Sequence, residues 1–395
     1  MNKILNFYIH ARGYFVAKFG SLLFIVIILC SICALIPPVS SNNGDFTFII
    51  EEVGKNTVTQ GFSKPKYVDV EGQFAVMNWH ANPGALFLYN VSDPKNPKYV
   101  GHVSVYNGPN AVRIRNGYAY AALNTGNLII ASLSNSGIST VSSKNFFGGY
   151  RQMFNIDVND EGTVIAMAGS QGEGLVLVNT ADKVSPSLLS ITRFSAGGVD
   201  IEGKYAFITK YDTSELRCYD ISNPSVPVLI SSVKVGSMVV PVRVYGNYAY
   251  VQEYSLNRMH IVDVSNPNNM NIILSNFEIP GVVPNGGGTV VDTKGDLMFL
   301  ATGLNGNGKI SIYDINNIGS PKMISQYVYP KNEAINMIAI NDTNIFVPNF
   351  TDKSLSVLSR PIVAPPIEKT LPMREIMSII NYPGRPVGSF IRDED

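Results

Sequence analysis

The chain has 395 residues with 30 basic and 30 acidic side chains, so its formal net charge is zero. No basic stripe runs along it, which argues against nucleic acid as a partner, because phosphate binding needs concentrated Lys and Arg. Hydrophobic residues make up 45% and charged ones 15%, with 20 Tyr, 19 Phe, 34 Gly and 23 Pro, the balance of an all-β body with many turns and strands buried on both faces.

The first 20 residues carry Lys3, Arg12 and Lys18 and no acid, and FGSLLFIVIILCSICALI (19–36) then runs 18 residues without a charge. A basic flank before an apolar run is read by the secretion machinery and stays on the cytoplasmic side. The run exceeds the ~7–15 residues of a cleaved signal core and reaches the ~17–25 that span a bilayer. Residues 1–41 are therefore expected to be a transmembrane signal-anchor, or a signal peptide cleaved after Ser41 or Cys33. The first places residues 42–360 on the extracytoplasmic side of a membrane; the second secretes them. Cys30 and Cys33 lie in the apolar run, so Cys218 is alone in the body and no internal disulfide can form there. Asn90, Asn341 and Asn349 head glycosylation sequons that would suit an exported domain.

From residue 60 onward one pattern recurs seven times: apolar strand, turn, G-x-aromatic-Ala strand, loop, and a third strand ending in one short polar residue. That residue is Asn90, Ser132, Asn179, Asp220, Asp263, Asp314 and Ser359, at spacings of 42, 47, 41, 43, 51 and 45. Several short strands in a repeat of this length predict a seven-bladed β-propeller. First strands are expected at 67–70, 111–114, 155–158, 198–201, 241–244, 289–292 and 337–340. Outer fourth strands follow in the first six blades, as at 188–194 and 229–235. After Ser359 the chain reads RPIVAPP, which cannot form a ladder. FTFIIEEV (46–53) is the segment expected to supply the missing outer strand, closing the ring and removing two open edges. Residues 361–395 hold six prolines and read as an extended tail, with REIMSIINY (374–382) as its one helical candidate.

The third strands MHIVDVSNPNNM, LRCYDISNPSVP, LFLYNVSDPKNP and ISIYDINNIGSP, with the preceding GNYAYV and GKYAFI, resemble the LVIVD repeat. The resemblance covers roughly residues 60–360 and is weaker in blades two, three and seven. It implies a seven-bladed propeller that is exported or surface-attached, and it brings no catalytic residues. The residues supply their own account of the motif: a short polar side chain at the strand end, such as Asp263, accepts backbone N–H bonds in the following turn, and Pro267 cannot rejoin a ladder.

The four histidines, His10, His80, His102 and His260, lie in different elements, whereas zinc needs three or four convergent ligands. GSQGEG (169–174) and GLNGNG (303–308) read as hairpin turns rather than phosphate loops, and no G-x-S-x-G elbow exists. One Trp argues against the propeller dehydrogenases that repeat a Trp in each blade. No catalytic residue, cofactor or metal is nominated.

Two residue sets remain. Asp69, Arg113, Asp157, Asp200, Arg243, Asp292 and Ala339 align in the first strands and form an axial ring of four acids and two bases. Inter-blade ion pairs are the plainer reading of that ring, and a polar funnel for a cation or small ligand is the functional one. Trp79, His80, Asn124, Tyr150, Arg151, Tyr211, Tyr254, Arg258 and Asn349 fall on the loop face that propellers use for binding, with Trp79 and Tyr254 foremost. The expected function is a non-catalytic scaffold that binds a protein, glycan or small ligand. The alternatives are a glycan-acting or other enzyme with its site in the central funnel, and a structural subunit of a membrane assembly.

Overall fold

Short strands, mostly of six or seven residues and separated by Asx and glycine turns, pair into seven four-stranded antiparallel sheets, six of them wholly from sequence neighbours. The computed structural model describes residues 49–58, 65–149, 151–253, 258–279, 296–303, 308–330, 334–335 and 337–360, and the backbone alone of 290–294. All secondary structure among them is β, and no helix there is long and apolar enough to cross a membrane. The segments 1–41 and 361–395, and with them the expected anchor and tail, lie outside the described residues.

Each blade begins at the axis with a first strand, here Pro65–Glu71, Pro109–Arg115, Met153–Val158, Ala196–Glu202, Val239–Tyr245, Val290–Lys294 and Ala339–Ile340. The second and third strands are its most buried parts, and seven apolar clusters lie between successive blades. Val76, Leu86 and Leu88 of blade one, for example, pack on Val112, Ala119 and Ile129 of blade two. Each such side chain contributes on the order of 1.5–3 kcal/mol when removed from water. Because every cluster is shared, no blade has a core of its own.

The third-strand residues behave as the turn chemistry requires. Asn90, Asn179, Asp220, Asp263 and Asp314 each accept the backbone N–H two residues on, at 2.8–3.0 Å. The intervening N–H, one residue after the polar side chain, returns to the carbonyl just before the second strand, as in Ile221 to Lys204 and Val264 to Asn247. These bonds hold Asp220 and Asp263 below the usual carboxylate range, with the Ser222 and Ser265 donors as the first cause.

The ring is closed by a strand from the N-terminal side, but the strand is Glu52–Thr57 rather than 46–53. It pairs antiparallel with Ser354–Ser359 as the outer strand of blade seven. The expectation followed apolar content; an outer strand faces solvent, and EVGKNT suits that place better than FTFII. Ile50, just before it, instead buries itself in the cluster between blades six and seven. Gly54 sits where the register shifts, and a Cβ there would overlap the Pro94 carbonyl of blade one. Asn56 donates to Pro97 O at 3.0 Å, so the closing strand also ties blade seven to the outer turn of blade one.

Candidate functional site

Cross-strand register puts the seven aligned first-strand positions at one level. Asp69, Arg113, Asp157, Asp200, Arg243, Asp292 and Ala339 all face second-strand residues that pair two places before the polar end of the third strand. The side chain of Asp292 lies outside the described residues.

The carboxylates are used between blades in a repeated way. Asp69 accepts the Ile114 N–H at 2.7 Å, Asp157 that of Ile201 at 2.7 Å, and Asp200 that of Val244 at 2.6 Å. The remaining oxygens of Asp157 and Asp200 take arginines: Arg113 Nε donates to Asp157 Oδ1 at 3.1 Å and Arg243 Nη1 to Asp200 Oδ1 at 2.9 Å. Asp157, Asp200 and Arg113 are buried, and this pairing offsets a desolvation cost that lone charges would not survive. Burial, followed by repulsion from Asp157, raises the Asp200 carboxyl to about 7 against the pull of Arg243. Above the ring level, burial lowers Lys66 to about 8 and raises Tyr67 to about 12.

Beyond the ring the channel opens into a polar cavity of about 340 Å³ at the end formed by the first-to-second-strand turns. Seven carboxylates and three guanidiniums line it. Sequence reading missed its outer members Glu71, Arg115, Glu202 and Tyr245. Each lies two residues beyond a ring position, so strand alternation alone assigns it to the same face. Arg115 lies between Glu71, at 3.8 Å, and Asp160, at 3.6 Å. Glu202 has no ion-pair partner among the described residues, and partial burial and then repulsion from Asp160 and Asp157 raise its pKa. No group of three or more His, Cys, Asp or Glu among the described residues could hold a metal ion.

The loop-face set does not assemble as one surface. Trp79 is fully buried against Phe87, with ring centroids 5.0 Å apart, because the second strand of blade one runs to Trp79 itself inside the core. It offers nothing to a partner. Asn349 is likewise fully buried as the last residue of its strand, so neither a binding role nor a glycan fits there in the folded chain. Tyr150 and Tyr254 lie outside the described residues. His80 and Asn124 do converge, on a cavity of about 290 Å³ with Asn107 and Gly108. Arg151 is held by the buried Glu173 at 2.8 Å, Arg258 lies 3.8 Å from Glu278, and Tyr211 is half-buried. Tyr106, 75% exposed beside the His80 cavity, is an aromatic on this face that the loop alignment passed over. Of the other sequons, Asn90 spends its side chain on Ser92 and Asn135, and Asn341 accepts from Thr343 and Asn344 within its own turn.

His260 belongs to a separate polar knot. Its Nε2 donates to Glu253 Oε1 at 3.0 Å with both side chains buried, while its Nδ1 accepts the Asn276 N–H at 3.3 Å. Glu253 Oε1 also accepts the Ser237 N–H at 2.9 Å, so the pair pins the strand entering blade five.

The LVIVD repeat family matches residues 195–235 and 237–276, which are blades four and five. No curated protein matches the chain at a significant level. Solved structures do. The Myceliophteria thermophila Cps50 (Swd1) β-propeller domain aligns with 12% identity and a TM-score of 0.60 over 77% of this chain and 98% of its own. A functionally unknown protein from Desulfotomaculum acetoxidans aligns with 13% identity and a TM-score of 0.58 over 72% and 92%. A Lactobacillus plantarum protein aligns with 12% identity and a TM-score of 0.56 over 67% and 88%. Likeness at such identity speaks for the fold alone. The chain is thus a seven-bladed β-propeller that carries LVIVD repeats in blades four and five, with the same turn chemistry recurring in other blades.

Proposed function

We propose that this chain is an exported, membrane-anchored propeller that acts as a non-catalytic binding scaffold and takes a cationic group at its axial mouth. The cationic group is a small amine or a basic side chain presented by a partner. The observation that carries the reading is the division of labour among the acids. Asp157 and Asp200 have their oxygens engaged by neighbouring blades, whereas Glu202, at the open end, has no ion-pair partner among the described residues and is repelled by Asp160 and Asp157. A bound cation would relieve that repulsion. Export and anchoring rest on the sequence of residues 1–41.

Calorimetric titration of the full chain with argininamide tests the seat. Binding that weakens several-fold in Glu202→Gln is the expected result; no heat, or heat indifferent to the substitution, overturns it. A second reading, an enzyme acting on glycans in the funnel, draws on Asp200, a carboxyl near 7 within a polar cavity. Turnover of a glycan substrate that is lost in Asp200→Asn would favour it over the scaffold.

A further inference from the structure

Exposed apolar side chains gather at one end of the ring. Leu188, Leu229, Ile272 and Met323, on the outer strands of blades three to six, are 38%, 47%, 39% and 46% exposed. Each pairs with the penultimate residue of its blade's third strand: Val178, Tyr219, Val262 and Tyr313. They therefore stand at one level around four consecutive blades. Val184 and Val226, 70% and 63% exposed, occupy the adjoining turns. Blade one breaks the stripe with Tyr99, half-buried against Phe87, and blade two with Thr140 opposite Ala131. A patch confined to half a rim is a feature to be accounted for, since outer strands ordinarily carry charge there.

The chain itself indicates what covers it. In blade seven the same register position is held by Glu52, opposite Leu358, so the closing strand enters the ring at the end where the stripe lies. Only residues 37–51 separate Glu52 from the apolar run 19–36, a reach of at most about 50 Å. If that run spans a bilayer, the lipid surface lies within reach of this end. Short aliphatic side chains on turns and strand ends suit shallow entry at a headgroup boundary.

We infer that this end of the propeller docks on the bilayer surface, with the outer rim of blades three to six against lipid. The inference rests on the membrane anchor proposed above. It keeps the axial mouth at the membrane side of the ring, so a ligand would be taken up close to the lipid surface.

The test uses the full chain in vesicles of phosphatidylcholine with a minor share of phosphatidylglycerol, some carrying brominated acyl chains. With Cys30 and Cys33 replaced by Ser and Cys218 buried, single labelling sites are made by Val226→Cys, Ile272→Cys and, at the opposite end, Tyr106→Cys. An environment-sensitive fluorophore at Val226→Cys and Ile272→Cys should be quenched several-fold more than at Tyr106→Cys. Equal exposure to water at all three, in protein that remains vesicle-bound after an alkaline wash, overturns the docking and leaves the anchor standing. Protein that fails to float with vesicles overturns the anchor and the docking with it. Leu229→Lys with Ile272→Lys, both at exposed positions, should abolish the quenching at Val226→Cys without lowering the melting temperature.

Discussion

Asp157 and Asp200 do the same job in adjacent blades, and Asp200 is pushed toward neutrality by burial and then by repulsion from Asp157. A carboxyl whose folded pKa lies above its unfolded value holds an extra proton when folded. Its contribution to stability is therefore full at low pH, declines as pH rises from about 4 to about 7, and is level above that. Scanning calorimetry across this window should show that decline in the parent and its absence in Asp200→Asn. The buried Glu253–His260 pair gives a second expectation. His260→Leu leaves a carboxylate buried without its partner and should cost about 3–5 kcal/mol in chemical denaturation, and adding Glu253→Leu should restore part of the loss. The ring was legible in the sequence because its members repeat at blade spacing. The His260 knot was not, since Glu253 ends one strand and His260 lies within the next, and only pairing brings them together.

At the scale of the strand, burial decides which readings of the sequence hold. The third strands announce themselves by a polar residue after an apolar run, and that single landmark fixed the number of blades. The closing strand has no such landmark. Apolar content favoured 46–53, but the outer place needs a segment that tolerates water on one side and a close approach on the other, which Gly54 provides. Gly54→Val should force the strand away from the Pro94 carbonyl and lower the melting temperature by several degrees, as overpacking of this kind costs about 1–3 kcal/mol. Trp79 was misplaced for a related reason. Its position at the end of a second strand suggested a loop, while the strand carries it into the core beside Phe87.

For the molecule as a whole, seven clusters shared between blades make stability a property of the closed ring. Removing residues 49–57 would expose the edge of Ser354–Ser359 and take Ile50 from the cluster between blades six and seven and Val53 from that between seven and one. Thermal unfolding should then begin at this seam and lose its single sharp transition. That outcome failing, with an unaltered melt, would mean that the ring is held without its closing strand.

That closure also sets an order of events during synthesis. Glu52–Thr57 leaves the ribosome about 300 residues before the strand it must pair with. At about 5–20 residues per second the wait is about 15–60 s. Throughout it, the growing chain has two unpaired ends, and each finished blade offers an apolar face to a neighbour not yet made. A cell producing this protein must guard those faces for the whole interval, and a nascent chain stalled before Ser354 has no route to the native ring.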